Sequence, residues 1–270
     1  IVSDDGSSDN TLTLLNDFAE KNTSKVKIVS GPGKGFVSTF LSLLFRDDIE
    51  ADYFSFSDQD DVWFEKKKER AVAWLKEIPS DTPALYCSRT LLVNNDGESL
   101  GCSPLFCRPP SFSNALVQNI GGGNTMVMNQ AARELVKRAG LVDVVSHDWW
   151  SSILISGANG AIRYDPEPTL GYRQQGENLI GTNLGFRARL LRLQKILQGQ
   201  YRNWNASHIR ALDKNRALLT ADNQDRFTWF KAIHDKCVFA RVYYFLKLGL
   251  YRQNSVDTLA VFISAILKKV

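Results

Sequence analysis

Tyr53-Phe54-Ser55-Phe56-Ser57-Asp58-Gln59-Asp60-Asp61-Val62-Trp63 is the run on which the reading of the fold turns. Its first half alternates aromatic and small polar side chains, the period of a strand with one buried face. The strand then stops in three carboxylates within four residues. In an open α/β sheet, ligands bind outside the carboxyl ends of the strands. Three acids this close repel one another unless a cation sits among them. Oxygen-only donors favour a hard divalent ion, Mg2+ or Mn2+, with its shell completed by substrate phosphates. Asp60 and Asp61 are the candidate ligands. The bland alternative is a solvated acidic turn that caps a helix, where Asp is common.

Upstream lie two further strand–helix units. Ile1-Val2-Ser3 ends a strand, Asp4-Asp5-Gly6-Ser7 makes the turn, and Ser8/Asp9 precede a helix over 11–21 with Leu12, Leu15 and Phe18 on one face. A strand over Val26–Val29 leads into Gly31-Pro32-Gly33-Lys34-Gly35 and a helix that begins at Phe36. Glycine-rich turns at helix starts can cradle phosphates, but this one lacks the full spacing of the known nucleotide loops. With the basic helix over 65–76, three strand–helix units in succession predict a parallel, doubly wound sheet.

Downstream, the period shifts. Strands are expected at 84–87 and 90–93, with Asn94–Gly97 as the turn that follows. A loop with three prolines, Cys102 to Phe112, is a candidate for mobility. Three consecutive glycines, Gly121–Gly123, lead into Asn124-Thr125-Met126-Val127-Met128. Such a run is costly in chain entropy and permits close backbone approach to a ligand. A helix over 131–139 ends at Gly140. His147-Asp148-Trp149-Trp150 then sets two ionisable groups beside two indoles, with Trp149 and Trp150 as flat apolar surface for a sugar face or a lipid, or as core. The polar loop Tyr172-Arg173-Gln174-Gln175-Gly176-Glu177-Asn178 is rich in donors. After Gly185 the pattern is helical, over 186–197, 205–223, 227–250 and 256–267.

Composition sets the class. The chain has 270 residues, 44% hydrophobic and 23% charged, so it can bury a core as an ordinary globular protein does. Two segments are expected: residues 1–185 as an α/β domain and 186–270 as a basic helical extension. Residues 1–185 carry 17 Lys and Arg against 24 Asp and Glu, and residues 186–270 carry 16 against 5. A basic tail on an acidic body suggests contact with a polyanion, or else a solvated basic face. No base-reading motif is present, so an anionic membrane surface is favoured over nucleic acid. The apolar run near the carboxyl end is about a dozen residues, short of the ~20 that span a bilayer. Four cysteines without CxxC spacing read as reduced thiols in a cytoplasmic protein. The chain opens mid-strand, on Ile1 rather than Met, with no signal peptide.

Asp4-Asp5-Gly6-Ser7-Ser8-Asp9, Asp58-Gln59-Asp60-Asp61, Gly121 to Met128, His147-Asp148-Trp149 and Tyr172-Arg173-Gln174 through Asn178 occur in the order seen in family 2 glycosyltransferases. Over residues 1–185 the chain resembles that family, and most of all the bacterial rhamnosyltransferase-like branch that builds surface polysaccharides. The resemblance implies a GT-A fold, a Rossmann-like, mostly parallel mixed sheet flanked by helices. It implies inverting transfer from a nucleotide-diphosphate sugar with a divalent metal. The expected donor is dTDP-rhamnose or a UDP-hexose, and the expected acceptor a lipid-linked glycan or polysaccharide. Position by position, Asp4 and Asp5 would lie near the nucleobase and Asp58 near the ribose. Asp60, with Asp61, would hold the metal. Asp148 would be the general base, and Arg173 and Gln174 would reach the departing diphosphate. Gly122, Asn124, Thr125, His147 and Trp149 are the candidates for the acceptor side. Three departures stand out. The strand and helix that precede Asp4 in the family are absent, Gln175 stands where relatives often carry His, and Thr39 where they commonly carry Asn.

Two other functions share these features. A nucleotide-sugar-binding module without turnover would keep the acids but not the transfer. A nucleotidyltransferase would need a more basic first glycine turn, where only Lys34 stands.

Overall fold

The computed structural model describes residues 1–22, 25–174 and 200–268. β1 (Val2–Asp4) and β2 (Ile28–Ser30) pair in parallel, with Val2 opposite Ile28. They are joined through α1 (Thr11–Lys21), and α2 (Phe36–Leu44) follows. β3 (Tyr53–Ser55) is shorter than its alternation suggests, yet Phe56 keeps the inward period and is buried. The helix expected over 65–76 is α3 (Lys67–Leu75).

The remaining strands form two four-stranded mixed sheets. One has the order β3, β8 (Val127–Asn129), β5 (Ala84–Ser88), β9 (Ala161–Asp165). The other has the order β4 (Val62–Trp63), β10 (Leu170–Arg173), β6 (Leu91–Val93), β7 (Ser99–Cys102). Of the three strands expected to form one parallel sheet, only β1 and β2 pair, while β3 joins a separate sheet; parallel pairing recurs later in β5–β9 and β6–β10. Short connections and the inserted strand β8 make the other ladders antiparallel. A parallel pair needs a long crossover, whereas a turn as tight as Asn94–Gly97 can only fold β7 back on β6. In that turn Asn94 N–H donates to the Glu98 carbonyl at 3.0 Å.

β5 shows why the molecule is layered. All five of its residues are buried. Leu85 and Cys87 enter the larger hydrophobic cluster, while Ala84 and Tyr86 enter a smaller one with Ala71 and Leu75 of α3. Alternate side chains leave opposite faces of a strand, so helices must cover both sides. The larger cluster lies under α2, α4 (Phe112–Ala115), α5 (Gln130–Ala139) and α6 (His147–Gly157). Gly140 ends α5 with φ +70°, as its position after the last apolar residue predicts.

The carboxyl-terminal helices are α7 (Gln200–Lys214), α8 (Ala221–Asp235), α9 (Val238–Leu248) and α10 (Ser255–Ile266). The helix expected over 186–197 lies outside the described residues. The one expected over 205–223 is broken by a 3-10 turn at Arg216–Leu218 and by Thr220, whose hydroxyl caps α8. Phe227, Phe230, Ile233, Phe245 and Leu248 join the larger cluster. The helical segment and the α/β body therefore share one core. The proline-rich loop, expected to be mobile, is tied to this segment. Arg108 N–H donates to Gln253 Oε1 at 2.8 Å and Gln253 Nε2 returns a bond to the Arg108 carbonyl at 2.8 Å. No described helix is long and apolar enough to cross a membrane.

Candidate active site

The acidic loop leaves β3, and its three carboxylates are half-buried. Burial, then the charges of Asp61, Asp60 and Asp148, push the Asp58 carboxyl up to about 6. Burial also raises Asp61, although Asn124 Nδ2 and the Arg173 N–H donate to its two oxygens. Tyr172 of β10 faces the same acids. Burial and their charge push its phenol up to about 12.

The cation that these acids require is in part already present, and it is a residue the sequence reading passed over. Lys67, at the first turn of α3, is 1% exposed. Its ammonium donates to the Asn124 carbonyl and stands 4.1 Å from the Trp63 ring centroid. Burial lowers it to about 8 against the opposing pull of Asp61 and Asp58. The available signal was its place in the first helical turn after the acids. Counting it only as one charge of a basic helix over 65–76 concealed it.

The turn Gly122–Thr125 joins the acidic loop to the later segment. Gly123 N–H donates to Asp148 Oδ2 at 2.9 Å, while the next residue, Asn124, donates to Asp61. Asp148 also accepts Trp149 N–H at 2.6 Å on Oδ1. It lies in the first turn of α6, where unpaired N–H groups and the helix dipole favour a carboxylate. Gly123 is required here. A Cβ at that position would sit 2.4 Å from His147 Nε2.

Several candidates for the acceptor side build this turn from within. Asn124 and Thr125 are buried, and Thr125 Oγ1 donates to the Gly122 carbonyl at 2.8 Å. His147 is buried with its ring stacked on Phe40 (centroids 4.3 Å apart) and edge-on to Phe56 (4.5 Å). Burial lowers its pKa, so it is a neutral wall residue. Trp149 and Trp150 are both buried. The Trp149 indole N–H donates to the Ala115 carbonyl at 2.7 Å, and its ring meets His208 of α7 at 4.7 Å. Their apolar area is taken by packing, not presented as a sugar platform.

Asp4 and Asp5 stand apart from the acidic loop in environment. Asp4 accepts the N–H groups of Gly6 and Ser7 at 3.2 and 3.1 Å. Asp5 reaches the glycine-rich turn and accepts Gly33 N–H and Gly35 N–H, each at 2.7 Å. Thr39 first, then these amides, hold the Asp5 carboxyl below its ordinary range. The first two motifs of the chain are thus one structure.

Arg173 ends β10. Its Nε donates to the Asp60 carbonyl at 3.1 Å, and Nη1 donates to the Asn95 carbonyl. Gln174 N–H continues the ladder to the Val93 carbonyl at 2.8 Å. Gln175 lies outside the described residues.

Among the described residues, no three His, Cys, Asp or Glu side chains converge closely enough to cage a metal. The donors present instead suit Mg2+ or Mn2+ held by one or two carboxylates and completed by phosphate oxygens. The arrangement ties the Asp148 carboxylate, the acidic loop and the Lys67 and Arg173 cations to one another through the Gly122–Thr125 turn and the end of β10.

Residues 1–89 match the family model described as glycosyl transferase family 2. The dTDP-rhamnosyl transferase RfbG of Shigella flexneri is 29% identical over 216 residues, covering 74% of this chain and 71% of that protein. Among solved structures, the mannosyltransferase PcManGT from Pyrobaculum calidifontis, in complex with GDP-Man and Mn2+, aligns over 99% of this chain and 76% of its own, at 18% identity and a TM-score of 0.46.

Proposed function

We propose, from the premise that this chain is a family 2 glycosyltransferase of the rhamnosyltransferase-like kind, that it is an inverting, metal-assisted enzyme of bacterial surface-glycan synthesis. Its donor is a nucleotide-diphosphate sugar, with dTDP-rhamnose favoured by the likeness to a dTDP-rhamnosyl transferase and a UDP-hexose next. Its acceptor is a hydroxyl of a lipid-linked glycan or polysaccharide. The reaction belongs in the cytoplasm, at the inner face of the membrane.

One observation carries this reading. Two consecutive residues, Gly123 and Asn124, hold Asp148 and Asp61, so a potential base and the acidic loop are fixed to each other through a single turn. In the transfer, the acceptor oxygen attacks the anomeric carbon. The bond from that carbon to the diphosphate breaks, and the diphosphate departs with the electron pair. Asp148 takes the acceptor proton, since a hydroxyl is a poor nucleophile until a positioned base accepts its proton. Its two backbone donors fix the carboxylate without occupying all its lone pairs. Attack from the face opposite the diphosphate inverts the anomeric centre. Arg173 puts a fixed positive charge beside the acidic loop, where negative charge grows on the leaving group. Asp58 lies toward the ribose and Asp4 and Asp5 toward the nucleobase, with Gln174 near the diphosphate. A divalent ion held by Asp60 and Asp61 supplies, when bound, further neutralisation of the departing diphosphate.

A thermal-shift panel of sugar nucleotides with and without Mn2+ tests the donor and the metal together. The protein is expected to melt higher with dTDP-rhamnose plus Mn2+ than with either alone, and Asp60→Asn is expected to abolish the Mn2+-dependent part. An unchanged Mn2+ response in Asp60→Asn would remove Asp60 from the metal site.

A further inference from the structure

α9 and α10 pack against each other in antiparallel fashion. Arg241, early in α9, donates from Nη1 to the Ala265 carbonyl near the end of α10 at 3.2 Å, and the Phe245 and Phe262 rings meet at 5.0 Å. Each helix has a buried face: Arg241, Phe245 and Leu248 on α9, and Ala260, Val261 and Ser264 on α10. The opposite faces are also apolar. Phe239 (88% exposed), Tyr243 and Leu246 (68%) recur at i, i+4, i+7 along α9. Val256, Leu259 and Ile263 recur at i, i+3, i+7 along α10 and are exposed as well. A helix that is apolar on both sides is expected to be buried on both, and exposed apolar stripes of this extent mark an interaction surface.

The charge of the segment identifies what covers them. Residues 236–270 carry six Lys and Arg against one acid, Asp257. Lys236 stands just before α9 and Lys268 just after α10, both exposed. The antiparallel packing brings those two helix ends together. Lys247, also exposed, sets its ammonium 3.8 Å from the Trp229 ring centroid and 5.6 Å from that of Tyr243, a cation held at the edge of the apolar stripe. An apolar stripe bordered by lysines matches a bilayer interface with anionic headgroups. A symmetric contact with a second copy through this face would instead bring two such basic segments together. Neither helix is long enough to span, so each lies along the surface.

We infer that the outward faces of α9 and α10 form a docking surface for an anionic lipid bilayer, seated by Phe239, Tyr243 and Leu246 and attracted by the flanking lysines. This deepens the proposed reading of a lipid-linked acceptor, and its purpose rests on that reading: the surface holds the enzyme where such an acceptor resides.

The test is co-sedimentation of the full chain with vesicles. The comparison is between pure phosphatidylcholine and phosphatidylcholine with about one-quarter phosphatidylglycerol, the anionic lipid supplying the surface potential. The expected result is binding at least about tenfold tighter to the anionic vesicles, lost in Phe239→Glu/Leu246→Glu. Both side chains point away from the core, and circular dichroism checks that the variant is folded. Leu259→Glu/Ile263→Glu provides the same test on α10. No binding by the unaltered protein, or equal binding by both variants, would overturn the inference. So would a concentration-dependent dimer, seen by analytical ultracentrifugation, that the glutamate variants dissolve. Sugar-nucleotide hydrolysis measured without vesicles reports on the transferase reading separately, so that the two can fail independently.

Discussion

The Asp4–Asp5 turn and the Asp58–Asp61 loop are both acid-rich and both follow a strand, yet their carboxyl groups sit in opposite environments. Asp4 and Asp5 are solvent-facing, and hydroxyl and backbone donors hold both below the ordinary carboxyl range. Asp58 and Asp61 are half-buried, and desolvation raises both. Thus residue type alone does not assign a role. The first pair is occupied with backbone amides and shapes a turn. The second group is held in a strained electrostatic balance with Lys67, the condition under which an incoming cation or polyanion has most effect. The two regions are best separated by variants that disturb one and leave the other intact.

The largest effect is expected in the buried half. Asp148→Asn keeps an oxygen to accept Gly123 N–H but removes the proton acceptor. Transfer should fall by about 10²–10⁴-fold, the usual contribution of a positioned general base. Sugar-nucleotide affinity, read by calorimetry, should hardly change. Unchanged turnover would move the base elsewhere.

Lys67→Met tests the balance itself. Methionine keeps much of the aliphatic stem and deletes the ammonium, with its charge over Trp63 and its bond to the Asn124 carbonyl. Removing one partner of a buried charged group costs about 3–5 kcal/mol, because the other charge is left uncompensated. Urea unfolding should show a loss of that order. A neutral substitution would mean that Lys67 is there for packing, and that the acids are relieved by solvent.

Burial should shift a base in the opposite sense to an acid, and His208 provides that check. It is 2% exposed on α7, and burial lowers it to about 4 while the Asp148 charge opposes. Between about pH 6.5 and 4 the unfolded chain binds a proton that the folded chain refuses. Stability is therefore fully present above the unfolded value and is lost as pH falls through that window. The loss is about 3 kcal/mol for a shift of this size. His208→Leu should flatten the pH dependence of urea midpoints over this range. An unaltered slope would assign it to other groups.

What could be read in advance follows from how far each signal reaches along the chain. Strand–helix alternation through residue 76, the cap at Gly140 and the acids at the end of β3 are local patterns, and each is found in the structure. The strand pairing was less legible. β8 runs antiparallel between β3 and β5, and no local period reports a partner's direction. Lys67 was hidden because charge on a helix is ordinarily solvated, and only tertiary packing shows that the first turn of α3 points inward. Asn124 and Thr125 were named only as candidates for the acceptor side. Their side chains are buried in the turn that holds Asp61 and Asp148, a non-local placement that spacing does not encode. The same holds for Asp5, whose two N–H donors come from residues 28 and 30 positions on.

The smallest effect, and the one that separates the two regions most directly, is expected at Asp5. Asp5→Asn keeps one acceptor oxygen and turns the other into an amide donor. One of the Gly33 and Gly35 N–H groups then faces a donor instead of an acceptor. The group is exposed, so water replaces much of what is lost and the fold should persist with a slightly lower melting temperature. Asp4→Asn should do less, since one oxygen already serves both Gly6 and Ser7. If the glycine-rich turn borders the nucleotide, Asp5→Asn should also weaken sugar-nucleotide binding in calorimetry, whereas Asp4→Asn should lose affinity only by direct contact with the base. A variant pair with Asp4→Asn the more thermally damaging would reverse the structural assignment. Equal and unaltered affinities in both would detach this turn from the donor site and leave the buried loop as its sole acidic wall.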